Sequence, residues 1–174
     1  MSLERLWAGW RISYVETADL SENPAPAGEG TLFERILNSG LPDDESLIVW
    51  RGEHCFALLN LYPYNNGHLM VLPTRAVRAL DELDDAEHAE LWDGVRDATV
   101  ALKAAYDPDG INVGVNQGAG SGAGVPDHLH VHVLPRWGGD TNFMTTVAET
   151  RVLPEALSAT WAKLRAAWPD SPPG

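Results

Sequence analysis

Short apolar runs rich in branched and aromatic residues recur through the middle of the chain, at 46–50 (SLIVW), 54–61 (HCFALLNL) and 68–73 (HLMVLP). Each is bounded by turn formers, which is the pattern of buried strands. Arg51-Gly52-Glu53 predicts a tight turn and an antiparallel hairpin between the first two. Pro63 and the Asn66-Gly67 step place a second turn in YPYNNG. INVGVNQ at 111–117 and HLHVHVLP at 128–135 predict two more strands, joined by the glycine loop GAGSGAG at 118–124. The rhythm turns helical over 81–106, where Leu83, Leu91, Val95, Ala98 and Leu102 share one face and acids crowd the first turns. A shorter helix is predicted over 32–38, with Thr31 as N-cap, Glu34 at the capping-box position and Gly40 ending it. A last helix covers 154–167 and opens with Pro154.

These elements divide the chain into an N-terminal extension and Pro/Gly-rich linker (1–30), one domain with a C-terminal helix (31–168) and a tail (169–174). Leu3, Leu6, Trp7 and Trp10 mark the extension as a short amphipathic segment that docks on the body. The class is α+β, with a mainly antiparallel sheet.

Charge narrows the functions. The chain carries 25 acidic and 12 basic residues, a formal net charge of -13, which argues against nucleic acid or anionic membrane as partner. A small anionic ligand remains open, since backbone amides and a few arginines can supply a local positive field. One cysteine, Cys55, excludes an internal disulfide and any CxxC site, and its apolar run makes it a small buried hydrophobe. The N-terminus has charges where a signal peptide would be apolar, and no run is long enough to span a bilayer, so the sequence reads as cytoplasmic.

Three of the six histidines stand at 128, 130 and 132. On a strand their imidazoles share one face, while Leu129, Val131 and Val133 fill the core behind them. Spacing alone leaves three readings open: a zinc site, a nucleophilic or general-base histidine with two helpers, and a structural cluster. The preceding loop, four glycines in seven residues after Asn116 and Gln117, tips the balance. Glycine lets the backbone turn its amides towards an oxyanion or phosphate, which a catalytic metal would not require. Loop and histidine comb together point to chemistry at phosphorus with histidine as nucleophile.

His128-Leu-His130-Val-His132-Val-Leu134-Pro135-Arg136 closely resembles the signature of the histidine triad family of nucleotide hydrolases and transferases. Asn60-Leu-Tyr-Pro-Tyr-Asn, Gly67-His68-Leu-Met-Val-Leu-Pro73 and Asn112-Val-Gly-Val-Asn116 agree with it, over roughly residues 31–144. The segments at 60–65 and 135–143, with Leu6-Trp7 and Trp10-Arg11, resemble the diadenosine tetraphosphate phosphorylase and hydrolase branch. The resemblance implies a five-stranded antiparallel sheet with flanking helices, usually paired as a homodimer. It further implies that His130 attacks the α-phosphorus and holds the nucleotidyl group, with His128 and His132 binding phosphate oxygens and setting its tautomer. His68 would complete the set, Asn60 would meet the ribose, and Asn116 the α-phosphate. Gln117, Ser121, Gly122 and Gly124 of the loop region join the expected substrate-binding residues. The acceptor is phosphate or water, and no cofactor is implied. Rival functions are a nucleoside phosphoramidase and a weakly catalytic nucleotide-binding sensor.

Two departures stand out. Where many relatives carry a zinc-binding CxxC, this chain has Thr31-Leu-Phe-Glu34, so no metal is expected. Where relatives often have a hydroxyl shortly before the first triad histidine, it has Gly124-Val-Pro-Asp127, which leaves Ser121 as the nearest hydroxyl and the acceptor open. Arg136 is expected either at a distal phosphate or in a surface salt bridge, and His54 and His88 read as structural or surface residues.

Overall fold

In the computed structural model, residues 28–140 and 155–169 are described; the extension, most of the linker and the tail beyond Pro169 lie outside them. Thr31 caps the first helix, α1 (Leu32–Leu37), and exchanges the predicted capping-box bonds with Glu34. A helical turn not anticipated from the sequence follows, α2 (Asp43–Ser46). Pro42 at its N-cap and three acids in its first turn favour it over the strand expected from residue 46, and Leu47, in the left-handed region at φ 60°, ends it. The first strand therefore begins late: β1 is Ile48–Arg51, followed by β2 (Cys55–Leu59) and β3 (Leu69–Pro73).

The long helix α3 (Asp85–Tyr106) starts four residues after the predicted point, because Asp84 and Glu87 form a capping box that fixes its first turn. Leu80–Glu82 before it is a single 3-10 turn. β4 (Gly110–Val115), β5 (Val131–Arg136) and α4 (Leu157–Ala167) complete the chain, and Pro154, the predicted opening of the last helix, lies outside the described residues.

All strand pairings are antiparallel, in the order β1-β2-β3-β5-β4. Two-residue alternation gives this sheet two different faces. One carries Ala57, Leu59, Val71, Leu129, Val131 and Val133 onto Leu91, Val95, Ala98 and Leu102 of α3 and Leu164 of α4. Cys55 is wholly buried there, and burial pushes its thiol up to about 12, so it behaves as the expected inert hydrophobe. The other face carries Phe56, Leu58, Met70 and Leu72, covered by Phe33 of α1. Trp50 and Trp168 stack at 5.7 Å beside the helical layer. Among the described residues no helix is long and apolar enough to cross a membrane.

Candidate active site

The site lies on the Phe33 face, where β3 meets β5. Met70 faces His132 in register, so the His132 ring shares the face of the smaller core. The three histidines do not all lie on the strand as predicted. Strand β5 begins at Val131, and His128 and His130 precede it, because the Leu129 amide bonds the Val77 carbonyl at 2.6 Å instead of a ladder partner. Alternation still holds, with Leu129, Val131 and Val133 in the helical core.

Each imidazole is oriented by a partner whose proton position is fixed. His130 Nδ1 lies 2.8 Å from the His128 carbonyl, which can only accept, so Nδ1 carries the proton and Nε2 keeps its lone pair. The Tyr64 amide donates to His68 Nδ1 at 3.1 Å, so the proton of neutral His68 is on Nε2. That Nε2–H meets His132 Nδ1 at 2.9 Å, which leaves His132 protonated on Nε2. His130 and His132 have centroids 4.9 Å apart. A bare ring nitrogen and a ring N–H donor therefore stand side by side.

Burial favours the neutral form of His130 and His132. It lowers the titration of His130 below the ordinary histidine value, against the pull of the His128 carbonyl. Burial, and then repulsion from His130, lowers His132 to about 4. For attack by a neutral His130, the direction of this shift puts the acid limb below the ordinary histidine value of 6.5. Single-turnover transfer of the nucleotidyl group to the protein, measured without phosphate between pH 4 and 8, should have the midpoint of its acid limb below 6.5. An acid limb at or above 6.5 would place the nucleophile in a solvated setting.

His128 is bonded at both ring nitrogens. It is wholly buried, with Nε2 donating to the Pro73 carbonyl at 2.8 Å and Nδ1 at 2.7 Å from the Thr31 hydroxyl. Both ring nitrogens are thus engaged by the protein, and the His128 carbonyl is the acceptor for His130 Nδ1. Phe33 packs edge-on to His128 at 5.4 Å and against His130 at 5.3 Å.

The remaining candidates frame the cleft. The Asn60 amide donates to the His68 carbonyl at 3.0 Å, and its side-chain oxygen accepts from the Tyr62 amide at 2.9 Å. Val115 pairs with Val131, so Asn116 and His130 stand one residue beyond that pair on neighbouring segments. Gln117 Oε1 accepts from the Leu80 amide at 2.9 Å and ties the loop to the 3-10 turn. The Ser121 hydroxyl donates to the Gly118 carbonyl at 2.7 Å within its own loop. Gly118 and Gly122 have φ of 75° and 83°, a backbone that only glycine adopts without strain. Arg136 is held by Asp140 and Asn112, which favours the salt-bridge reading over the distal phosphate. Among the described residues, no group of three or more His, Cys, Asp or Glu side chains is arranged to hold a metal ion. Thr31, Phe33 and Tyr64 escaped the search for site residues. Each lay in a segment the sequence singled out, Thr31 and Phe33 in Thr31-Leu-Phe-Glu34 and Tyr64 in the 60–65 motif, but the capping-box pattern of Thr31 pointed only to a helix end.

An antiparallel sheet that presents an unprotonated imidazole nitrogen beside a second, donating imidazole has the groups for nucleophilic chemistry by histidine. The HIT domain family pattern matches residues 42–139, and the chain belongs to that family. It is 43% identical over 171 residues to a Mycobacterium tuberculosis protein named AP-4-A phosphorylase, covering 98% of this chain and 87% of the relative. It is 34% identical over 95 residues to the Schizosaccharomyces pombe bis(5'-nucleosyl)-tetraphosphatase (asymmetrical), covering 55% of this chain and 52% of that one. Among solved structures, a Hit-like protein from Bartonella henselae superposes with a TM-score of 0.65 at 26% identity, over 80% of this chain and 97% of its own.

Proposed function

We propose that this protein is an enzyme that cleaves dinucleoside polyphosphates, diadenosine tetraphosphate in the first place, by transferring a nucleotidyl group to His130. The observation that carries the reading is the His130 Nδ1–H bond to the His128 carbonyl, which presents an unprotonated Nε2 in a buried setting. Nε2 attacks the α-phosphorus; an N–P bond forms, and the bond to the bridging oxygen breaks as the nucleoside polyphosphate leaves. The His132 Nε2–H donates to the equatorial oxygens as charge grows on them. Asn60 offers its amide nitrogen to the ribose, while Asn116 and the loop around Gly122 and Gly124 surround the phosphates. In the second step phosphate or water attacks the same phosphorus and frees His130.

The names of the relatives support this substrate class, and the length shared with the M. tuberculosis relative makes phosphate the favoured acceptor. Two features support the wider expectations of a homodimer in the cytoplasm. β4 is an edge strand whose Val113 is 46% exposed, which suits pairing with a second copy. The lone, buried thiol suits a reducing compartment.

Product analysis with diadenosine tetraphosphate, with and without inorganic phosphate, tests the reading. ADP and ATP formed only with phosphate are the expected products. AMP and ATP without phosphate would make the enzyme a hydrolase, and no cleavage in either tube would sink the substrate assignment.

A further inference from the structure

The first helix reaches the triad through a contact that spans 97 positions of sequence. Thr31 Oγ1 lies 2.7 Å from His128 Nδ1, and the same hydroxyl lies 3.0 Å from Glu34 Oε2. Glu34 Oε2 also accepts from the Thr31 amide at 2.8 Å, and its other oxygen accepts from the Ala76 amide at 3.2 Å. The capping box of α1 is thus bonded at once to its own helix, to the segment after β3 and to a triad ring.

His128 needs such an anchor. It precedes β5, so no strand ladder holds its backbone, and its own amide makes only a 3.4 Å bond to Val125. Yet its carbonyl is the acceptor that orients His130. The ring is therefore fixed at two points, Pro73 on one nitrogen and Thr31 on the other, and through the ring so is the carbonyl. With the His128 proton on Nε2, facing Pro73, Nδ1 must accept, and the Thr31 hydroxyl turns its single proton from Glu34 to it, leaving the Thr31 amide to bond Glu34 Oε2. Thr31 in turn is held by Glu34, whose carboxyl the Thr31 amide, above all, keeps below the ordinary carboxylate range. Should His128 take up a second proton, the same hydroxyl reverses, accepting from Nδ1–H and donating to Glu34.

We propose that Thr31, backed by Glu34, is a positioning residue for the nucleophile, holding the ring and carbonyl of His128 so that His130 keeps the tautomer that leaves Nε2 bare. This rests on the proposed attack by His130. It assigns the Thr31-x-x-Glu34 pair a part in the reaction beyond closing a helix end.

The test uses the full chain and three variants: Thr31→Val, which keeps the shape and removes the hydroxyl; Thr31→Ser, which restores it; and Asp84→Ala, which opens the corresponding cap of α3, away from the site. With diadenosine tetraphosphate and phosphate, Thr31→Val should lower kcat by about 10- to 100-fold, the scale of losing one hydrogen bond to a reacting group, with KM within about twofold. Thr31→Ser should recover most of that loss. Asp84→Ala should lose thermal stability and keep its kcat. Independently of any substrate, long-range proton–nitrogen spectra of histidine-labelled protein should show the His128 and His130 tautomers fixed in the wild type and in Thr31→Ser, but mixed in Thr31→Val. A kcat for Thr31→Val within about twofold of wild type, or equal losses in Thr31→Val and Thr31→Ser, would overturn the proposal. So would unchanged tautomers in a folded Thr31→Val. If Thr31→Val does not fold, Glu34→Gln replaces it, and unchanged tautomers together with wild-type kcat there overturn the proposal equally. If the wild type cleaves nothing, the function assigned above fails, and the spectra still decide this one.

Discussion

His130→Ala lowers turnover of diadenosine tetraphosphate by at least about 10³-fold while leaving nucleotide affinity largely intact. The expectation follows from a division of labour inside the site. The His130 ring presents an unprotonated Nε2 beside the donating His132 ring, because its Nδ1–H is taken by the His128 carbonyl. In the proposed reading, recognition of the nucleotide falls to other groups, at Asn60, Asn116 and the glycine loop, whose hydrogen bonds described above do not involve His130. Removing the ring abolishes the covalent step and leaves those groups in place.

Alanine also strips a buried ring from its contact with Phe33 and leaves the His128 carbonyl without its donor, so a loss of stability accompanies the loss of turnover. His130→Asn separates the two effects. Its side-chain amide can donate to the same carbonyl, yet it has no nucleophilic nitrogen. It should lose turnover as fully as alanine and unfold closer to the wild-type temperature. With substrate labelled in the adenylyl group, the wild type should carry label through denaturation in alkali, where an N–P bond persists, and neither variant should. Near-normal turnover in His130→Asn would remove the nucleophile from this position.

Much of this site was legible because strand alternation is a short-range rule. The aliphatic residues at 129, 131 and 133 had to enter one core if the histidines between them faced a cleft, and they do enter the α3 side. The capping box at Thr31 and Glu34 was equally legible, being a bond pattern three residues long. What escaped is where those local patterns end or acquire a distant partner. The strand could not be seen to begin at Val131, because the bond that withdraws Leu129 from the ladder goes to Val77, far away in sequence. The second partner of the Thr31 hydroxyl was invisible for the same reason: a cap that satisfies its own helix gives no sign that it also meets His128. Spacing could not report that the His128 ring is wholly buried with both nitrogens bonded to the protein. The α2 turn hid behind the apolar run SLIVW, whose first two residues the acids and Pro42 draw out of the strand.

His132→Leu should lower kcat for the same substrate by about 10²- to 10³-fold, with KM changed far less, the loss measured elsewhere when one donor to a developing oxyanion is removed. The donor is assigned by a chain of bonds that starts at a group with no choice. A backbone amide can only donate, so Tyr64 makes His68 Nδ1 an acceptor. His68 must then donate from Nε2 to His132 Nδ1, and His132 must carry its own proton on Nε2. A titration lowered to about 4 keeps the ring neutral, with this single arrangement, across the working pH range. In the proposed attack the non-bridging oxygens of the α-phosphoryl group gain charge as Nε2 adds to phosphorus, before the bridging oxygen leaves with its electron pair, so the N–H strengthens its bond most in the transition state and contributes to kcat more than to binding. His132→Gln sharpens the test, because its amide nitrogen falls near the position of the ring Nε2 and also donates. It should recover part of the rate that leucine loses. Equal rates in the two variants would mean that His132 fills space beside Tyr64 and His68, and turnover within about threefold of wild type in His132→Leu would remove it from the transition state.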